Sequence, residues 1–315
     1  MKEMFSLKCR MLFLLLLVAT CQLFAQQDLA AGRKLFKEEK YSAALAKAEN
    51  LLKDNPDFDS ALVLKGECLW RMKKYQEGFT LLTKVVNEHP RYNYAWYVRA
   101  HMQRMSGNLS EAKNDLSMAL RNIGQDTLAK DIYNDRAWVN LKIRNLDAGR
   151  EDALMTITLD STNTTAMSTM ALCLNQSNQP DSALTWLRKA FAIDSTNLGT
   201  TINMGFVLLK KEKFEEAIEW LNRAIRLDPK EAYTYNNRGY AKYKLGDLNA
   251  AMTDINKSLS MDDHNSYAFR NRALVYIALA KYDKACMDLQ KATELGYREN
   301  YGDEVDQLRK EYCKK

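Results

Sequence analysis

The sequence predicts an all-α stack of helical hairpins, and three observations carry that expectation. The chain aligns with itself in rows of 34 residues beginning at Ala25, Asp59, Asn93, Lys130, Thr164, Leu198, Ala232 and Ser266. Two columns of that alignment hold nothing but glycine and alanine, in a chain with only 12 glycines. Three of the four prolines fall in one further column. A regular period of this length is the mark of a repeat architecture, in which each unit buries its apolar face against its neighbours. The low proline and glycine content permits long helices and disfavours a turn-rich β fold.

The small column of the first helix (column 8) contains Gly32, Gly66, Ala100, Ala137, Ala171, Gly205, Gly239 and Ala273. That of the second helix (column 20) contains Ala44, Gly78, Ala112, Gly149, Ala183, Ala217, Ala251 and Ala285. Small residues let two helix axes approach closely. Column 24 is apolar throughout (Ala48, Leu82, Leu116, Ala153, Leu187, Leu221, Ile255, Leu289) and shares a helical face with column 20. Pro56, Pro90 and Pro229 stand in column 32 and end the second helix, whereas Pro180 falls at a helix start, where proline is tolerated. Column 18 offers Ser42, Ser110, Asp147, Asp181, Asn249 and Asp283 as N-caps. Only the third row breaks the period, running to 37 residues over 93–129.

This pattern resembles the tetratricopeptide repeat, over a tandem array at 26–299. The resemblance is closest in the rows that begin with Leu198 and Ala232, and the fourth row, with Gly149 and Ser161, departs most. It implies a right-handed superhelical solenoid of about eight helix-turn-helix repeats, with the first helix of each pair on the concave side. Residues 300–315 read as a capping helix and tail, with Val305, Leu308 and Tyr312 on one face. The acidic start and basic end of that helix suit its dipole.

The first 25 residues are of another kind. Lys2, Lys8 and Arg10 precede the apolar run Met11–Ala19, as in a secretory signal peptide cleaved after Ala25. A competing reading is lipidation of Cys21, against which Thr20 is a poor match. Either reading implies export, to a periplasmic or outer-membrane-associated location. Cys68, Cys173, Cys286 and Cys313 lie far apart with no metal-binding spacing. The first two read as small core residues. Cys286 and Cys313 would meet if the C-terminal helix folded back. Asp59-Ser60-Ala61, Asp126-Thr127-Leu128 and Asp181-Ser182-Ala183 resemble a short bacterial O-glycosylation signal, but read first as helix N-caps of Asp-Ser type.

The formal charge of +6 is too modest to mark a nucleic-acid binder. The three histidines are scattered and no phosphate loop, HExxH or GxSxG occurs, so no enzyme, cofactor or metal site is expected. The expected function is a monomeric protein-binding scaffold that holds an extended partner segment in its groove. It touches the membrane only indirectly, or through lipidation of Cys21. A self-associating structural array, or a component of outer-membrane lipoprotein assembly, is the alternative. Asn203, Asn237 and Asn271 recur in column 6, and a carboxamide pairs with a peptide backbone through both donor and acceptor. Helices about 8–10 Å apart would place one asparagine at roughly every third residue of a strand rising about 3.3 Å per residue. Tyr233, Tyr240, Tyr243, Tyr267 and Arg270 surround this ladder, and Trp70 and Trp138 offer a second contact. Trp96, Tyr133, Tyr235 and Phe269, in column 4, are assigned to the core.

Overall fold

The computed structural model describes residues 24–121, 123 and 127–313. Residues 1–23 of the expected signal segment, with Cys9 and Cys21, and Asp126 and half of the stretch 122–129 that holds the three-residue excess lie outside them. The chain divides into two compact units, one ending at Arg144 and the other beginning at Asn145. The boundary falls inside the divergent fourth row.

The first unit holds α1 (24–37), α2 (Tyr41–Asp54), α3 (Asp59–Arg71), α4 (Tyr75–Glu88), α5 (Asn93–Met105), α6 (Leu109–Leu120) and α7 (Leu128–Lys142). The second holds α8 (Leu146–Leu159), α9 (Thr164–Gln176), α10 (Pro180–Ile193), α11 (Leu198–Lys210), α12 (Phe214–Leu227), α13 (Ala232–Lys244), α14 (Leu248–Met261), α15 (Ser266–Ala278) and α16 (Tyr282–Glu294). It closes with the short α17 (Tyr297–Tyr301) and α18 (Glu304–Tyr312), and α18 packs on α16. The described residues contain no strand, and none of their helices is long and apolar enough to cross a membrane.

The small columns are where paired helices touch. A Cβ on Gly66 would lie 2.0 Å from Leu82 Cδ2, one on Gly205 2.7 Å from Leu221 Cγ, and one on Gly239 2.6 Å from Ile255 Cγ1. Each obstacle is the column-24 residue of the same row. Leu82, Leu116, Leu187, Leu221, Ile255 and Leu289 are all fully buried. Each such side chain contributes about 1.5–3 kcal/mol relative to exposure.

One turn geometry joins the two helices of each row. Glu39, Lys73, Gly107, Arg144, Asn178, Glu212, Gly246 and Ala280, all in column 15, have φ between 55° and 85°. The next amide reaches back to close the first helix, as in Lys74 N to Leu69 O (2.9 Å) and Lys213 N to Leu208 O (3.0 Å). This is the Schellman arrangement, which normally prefers glycine at the left-handed position. Six of these eight rows force another residue there. Second helices then start at column 17, earlier than expected. Ser42, Ser110, Asp147, Asp181, Asn249 and Asp283 are therefore not caps but second helical residues. Capping falls to Asp247 ahead of α14, and to Asn163, Asn197 and Asn265 ahead of α9, α11 and α15.

An unanticipated ion-pair column also ties rows together. Arg99, Arg238 and Arg272 grip Asp115, Asp254 and Asp288 through two bonds of 2.7 Å each. Their remaining nitrogens reach Thr83, Asn222 and Asn256 on the second helix of the preceding row. In the fifth and sixth rows the same two columns hold Met170 with Trp186 and Met204 with Trp220. Apolar pairs commonly replace a buried ion pair at little cost.

Cys68 and Cys173 are free and buried, and burial pushes their thiols up to about 12 and about 11. Thiols so raised are poor nucleophiles. Cys286 and Cys313 are disulfide-bonded, with Cα atoms 5.6 Å apart, which fastens the end of α18 to α16.

Candidate functional site

The second unit carries a cleft of about 290 Å³ on the exposed side of its first helices. Phe206 comes from α11, Asn237 and Tyr240 from α13, and Tyr267 from α15. Leu209 and Lys210 at the end of α11, Glu212 in the turn that follows and Phe214 at the start of α12 complete its wall. Phe206 is 38% exposed, high for a phenylalanine, whereas Leu209 beside it is buried. The walls thus offer aromatic rings, one carboxamide, one cation and one anion. Such a mixture suits a peptide segment better than a small charged metabolite.

Asn203 and Asn237 are half-buried, and neither carboxamide is bonded to another described residue. Each keeps its donor and acceptor open. Asn271, the third member of the expected ladder, differs. It is 1% exposed, accepts from Arg270 (2.7 Å) and donates to Asn236 (3.0 Å). Arg270 is buried as well and pairs with Glu304 of α18. Both were expected on the groove surface. The terminal segment covers this last row, so its column 5 and 6 residues become interior. Tyr233 is 51% exposed but stands outside the cleft, and Tyr243 lines a shallower neighbouring depression with Lys244, Gly246, Leu248 and Ala278. Glu212 and Phe214 stand in columns 15 and 17, at the hairpin turn, and the repeat pattern does not mark those columns as groove-lining.

The corresponding face of the first unit is ionic. Glu67 takes the Arg33 guanidinium and accepts from the Tyr94 hydroxyl at 3.2 Å. Ser60 meets the Tyr92 hydroxyl at 3.0 Å, which leaves this serine half-buried and engaged. Asp135 lies 2.9 Å from His101 Nε2 and accepts from Tyr97. Burial raises the Tyr92, Tyr94 and Tyr97 hydroxyls, Tyr94 to about 12, so all three stay protonated donors. Trp70, expected as an exposed anchor, is instead a core residue. It is 8% exposed, packs edge-on to Tyr75 at 4.9 Å, and its indole N–H finds no partner. Trp138 is half-buried, with Arg104 and Lys142 each 5.3 Å from its ring. Of the four column-4 aromatics, Trp96 is buried and Tyr133, Tyr235 and Phe269 are half-buried.

Comparison with known proteins follows the repeats. Models described as tetratricopeptide or TPR repeats match residues 35–102, 205–246, 232–265 and 269–295. No curated protein sequence matches the chain. A tetratricopeptide repeat protein from Parabacteroides merdae ATCC 43184 superposes with a TM-score of 0.69 at 17% identity, covering 81% of this chain and 99% of that one. The APC/C hetero-tetramer Cut9-Hcn1 gives a TM-score of 0.66 at 18% identity, over 91% of this chain and 55% of that one. This chain therefore spans about half of the Cut9-Hcn1 chain it resembles. At these identities the likeness shows the fold alone. Tetratricopeptide repeats generally mediate protein–protein interactions. Models of this repeat therefore match in both units, at 35–102 in the first and within 205–295 in the second.

Proposed function

We propose that this protein is an exported, non-enzymatic adaptor that holds an extended segment of a partner protein against the first helices of its second unit. The observation that carries this reading is the cleft between Phe206, Asn237, Tyr240 and Tyr267. Three consecutive rows contribute rings to it, and its carboxamide has no internal partner. Rigid aromatic side chains supply contact area at low entropic cost. A neighbouring free carboxamide satisfies a backbone amide and carbonyl without selecting side chains. The exported location, in a bacterial cell envelope, rests on the N-terminal charge and hydropathy pattern. The Cys286–Cys313 bond supports it, because structural disulfides persist in oxidising compartments.

The test is in-cell crosslinking followed by purification and mass spectrometry. It compares the wild type with a Phe206→Ala/Asn203→Ala/Asn237→Ala variant of equal helicity. An envelope protein recovered with the wild type and lost from the variant is the expected result. Equal recovery from both would remove the cleft from the account.

A further inference from the structure

The terminal helix sits on the second unit in the way a ligand would. Arg270 is buried to 8% side-chain exposure, while the Glu304 carboxylate that grips it is 43% exposed. The cation lies inside and the anion closes the mouth. The grip is two-pronged, from Arg270 Nε to Oε2 at 3.0 Å and from its terminal nitrogen to Oε1. The rings of Tyr240 and Tyr267 each lie 5.4 Å from the guanidinium carbon, and both also line the cleft. Behind Arg270, Asn271 and Asn236 form a buried relay that ends in an Asn236 amide nitrogen with no acceptor. The guanidinium is thus held in place independently of Glu304.

The segment that carries Glu304 is held in its middle by Leu308 on the core cluster and by Arg309 at 3.4 Å from Thr293, and also at both ends. At one end are Glu304 itself, the Tyr297 hydroxyl bonded to it at 2.9 Å, and buried Val305. At the other is the Cys286–Cys313 bond, next to a stacked Tyr282–Tyr312 pair. Gly296 and Gly302, both at positive φ, bracket α17 and give the segment its bends. A helix of 9 residues has little stability of its own, so α18 depends on these tethers.

We propose that the Arg270 pocket is a carboxylate-binding site filled in cis by Glu304, and that the Cys286–Cys313 disulfide controls its vacancy. This deepens the adaptor reading and rests on it: an acidic side chain of a segment lying in the cleft would replace Glu304. Opening requires a dithiol reductant. The two cysteines gain two electrons and two protons as the reductant's thiols become a disulfide.

The test uses the full chain and, as probe, a fluorescein-labelled peptide copying residues 302–313 with serine in place of Cys313. This probe should bind a Cys286→Ser/Cys313→Ser/Glu304→Gln chain at least tenfold more tightly than the disulfide-bonded wild type. The same peptide with glutamine in place of Glu304 should bind at least tenfold more weakly. In wild type reduced with dithiothreitol, amide exchange across 297–312 should accelerate at least tenfold while α9 to α13 stay unchanged, a readout that does not depend on the variant folding. Equal binding of the two peptides, or unchanged exchange on reduction, would make Glu304 a fixed part of the cap and overturn the proposal. Crosslinking through Phe206 and Asn237 is scored separately in the disulfide-bonded chain, so failure of the latch and failure of the adaptor reading give different results.

Discussion

The two units share one scaffold and use its exposed first-helix face in opposite ways. In the first unit Arg33, Glu67, Tyr94, Tyr97, His101 and Asp135 bond to one another and close the face on itself. In the second, Phe206, Asn203, Asn237 and Tyr240 occupy the equivalent columns and leave rings and carboxamides available. The repeat fixes helix spacing through a few buried columns, and the remaining columns are free either to stabilise the array or to meet a partner. Polar groups that satisfy one another are weak candidates for recognition. Polar groups left half-buried and unpaired are strong ones, because they gain most when a partner arrives.

The largest expected effect lies on the ionic face. Glu67→Ala strands the Arg33 guanidinium and should cost about 2–3 kcal/mol, somewhat less than for a fully buried pair because both side chains keep some exposure. Urea denaturation followed by a probe in the first unit checks it. A cost near zero would mean that the first face is as available as the second. Gly78→Ala tests the shared scaffold. Its Cβ would lie 2.7 Å from the Gly66 carbonyl oxygen, a backbone atom that cannot swing aside, and about 1–3 kcal/mol should be lost. Thermal unfolding reads that loss. Ala280→Gly relieves a left-handed alanine at φ 55° and should stabilise by about 0.5–1 kcal/mol, after the added freedom of the unfolded chain is subtracted. A melting temperature that fell would show that the turn is not strained. Asn237→Ala is expected to change stability by less than about 0.5 kcal/mol, since no internal bond is lost. A clear destabilisation would assign Asn237 to the scaffold and erase the contrast between the faces.

Much of this was legible in the sequence. Glycine and alanine in columns 8 and 20, against a large residue in column 24, announced both the hairpin and its contact point, and the first helices α3, α5, α9, α11, α13 and α15 begin where their rows do. The paired column of Arg99, Arg238 and Arg272 against Asp115, Asp254 and Asp288 is readable too, since its members keep a spacing of 16. Other features were hidden for physical reasons. A column predicts which way a side chain leaves its helix, not what covers it. Asn271 sits in the same column as the half-buried Asn237, yet the last row, under the folded-back terminal segment, is interior. Trp70 leaves α3 in a groove-lining column and is covered by the aromatic ring of Tyr75 at the start of α4. The cleft itself also needed Glu212 and Phe214 of columns 15 and 17, whose recurring positions announce a hairpin turn and not a cleft wall.

The most direct test of the contrast places a photo-crosslinking phenylalanine analogue at the position of Phe206 in one strain and at the position of His101 in another, then irradiates living cells. The account predicts discrete protein adducts from the Phe206 position and none above background from the His101 position. Equal adducts from both, or adducts from the His101 position alone, would contradict it.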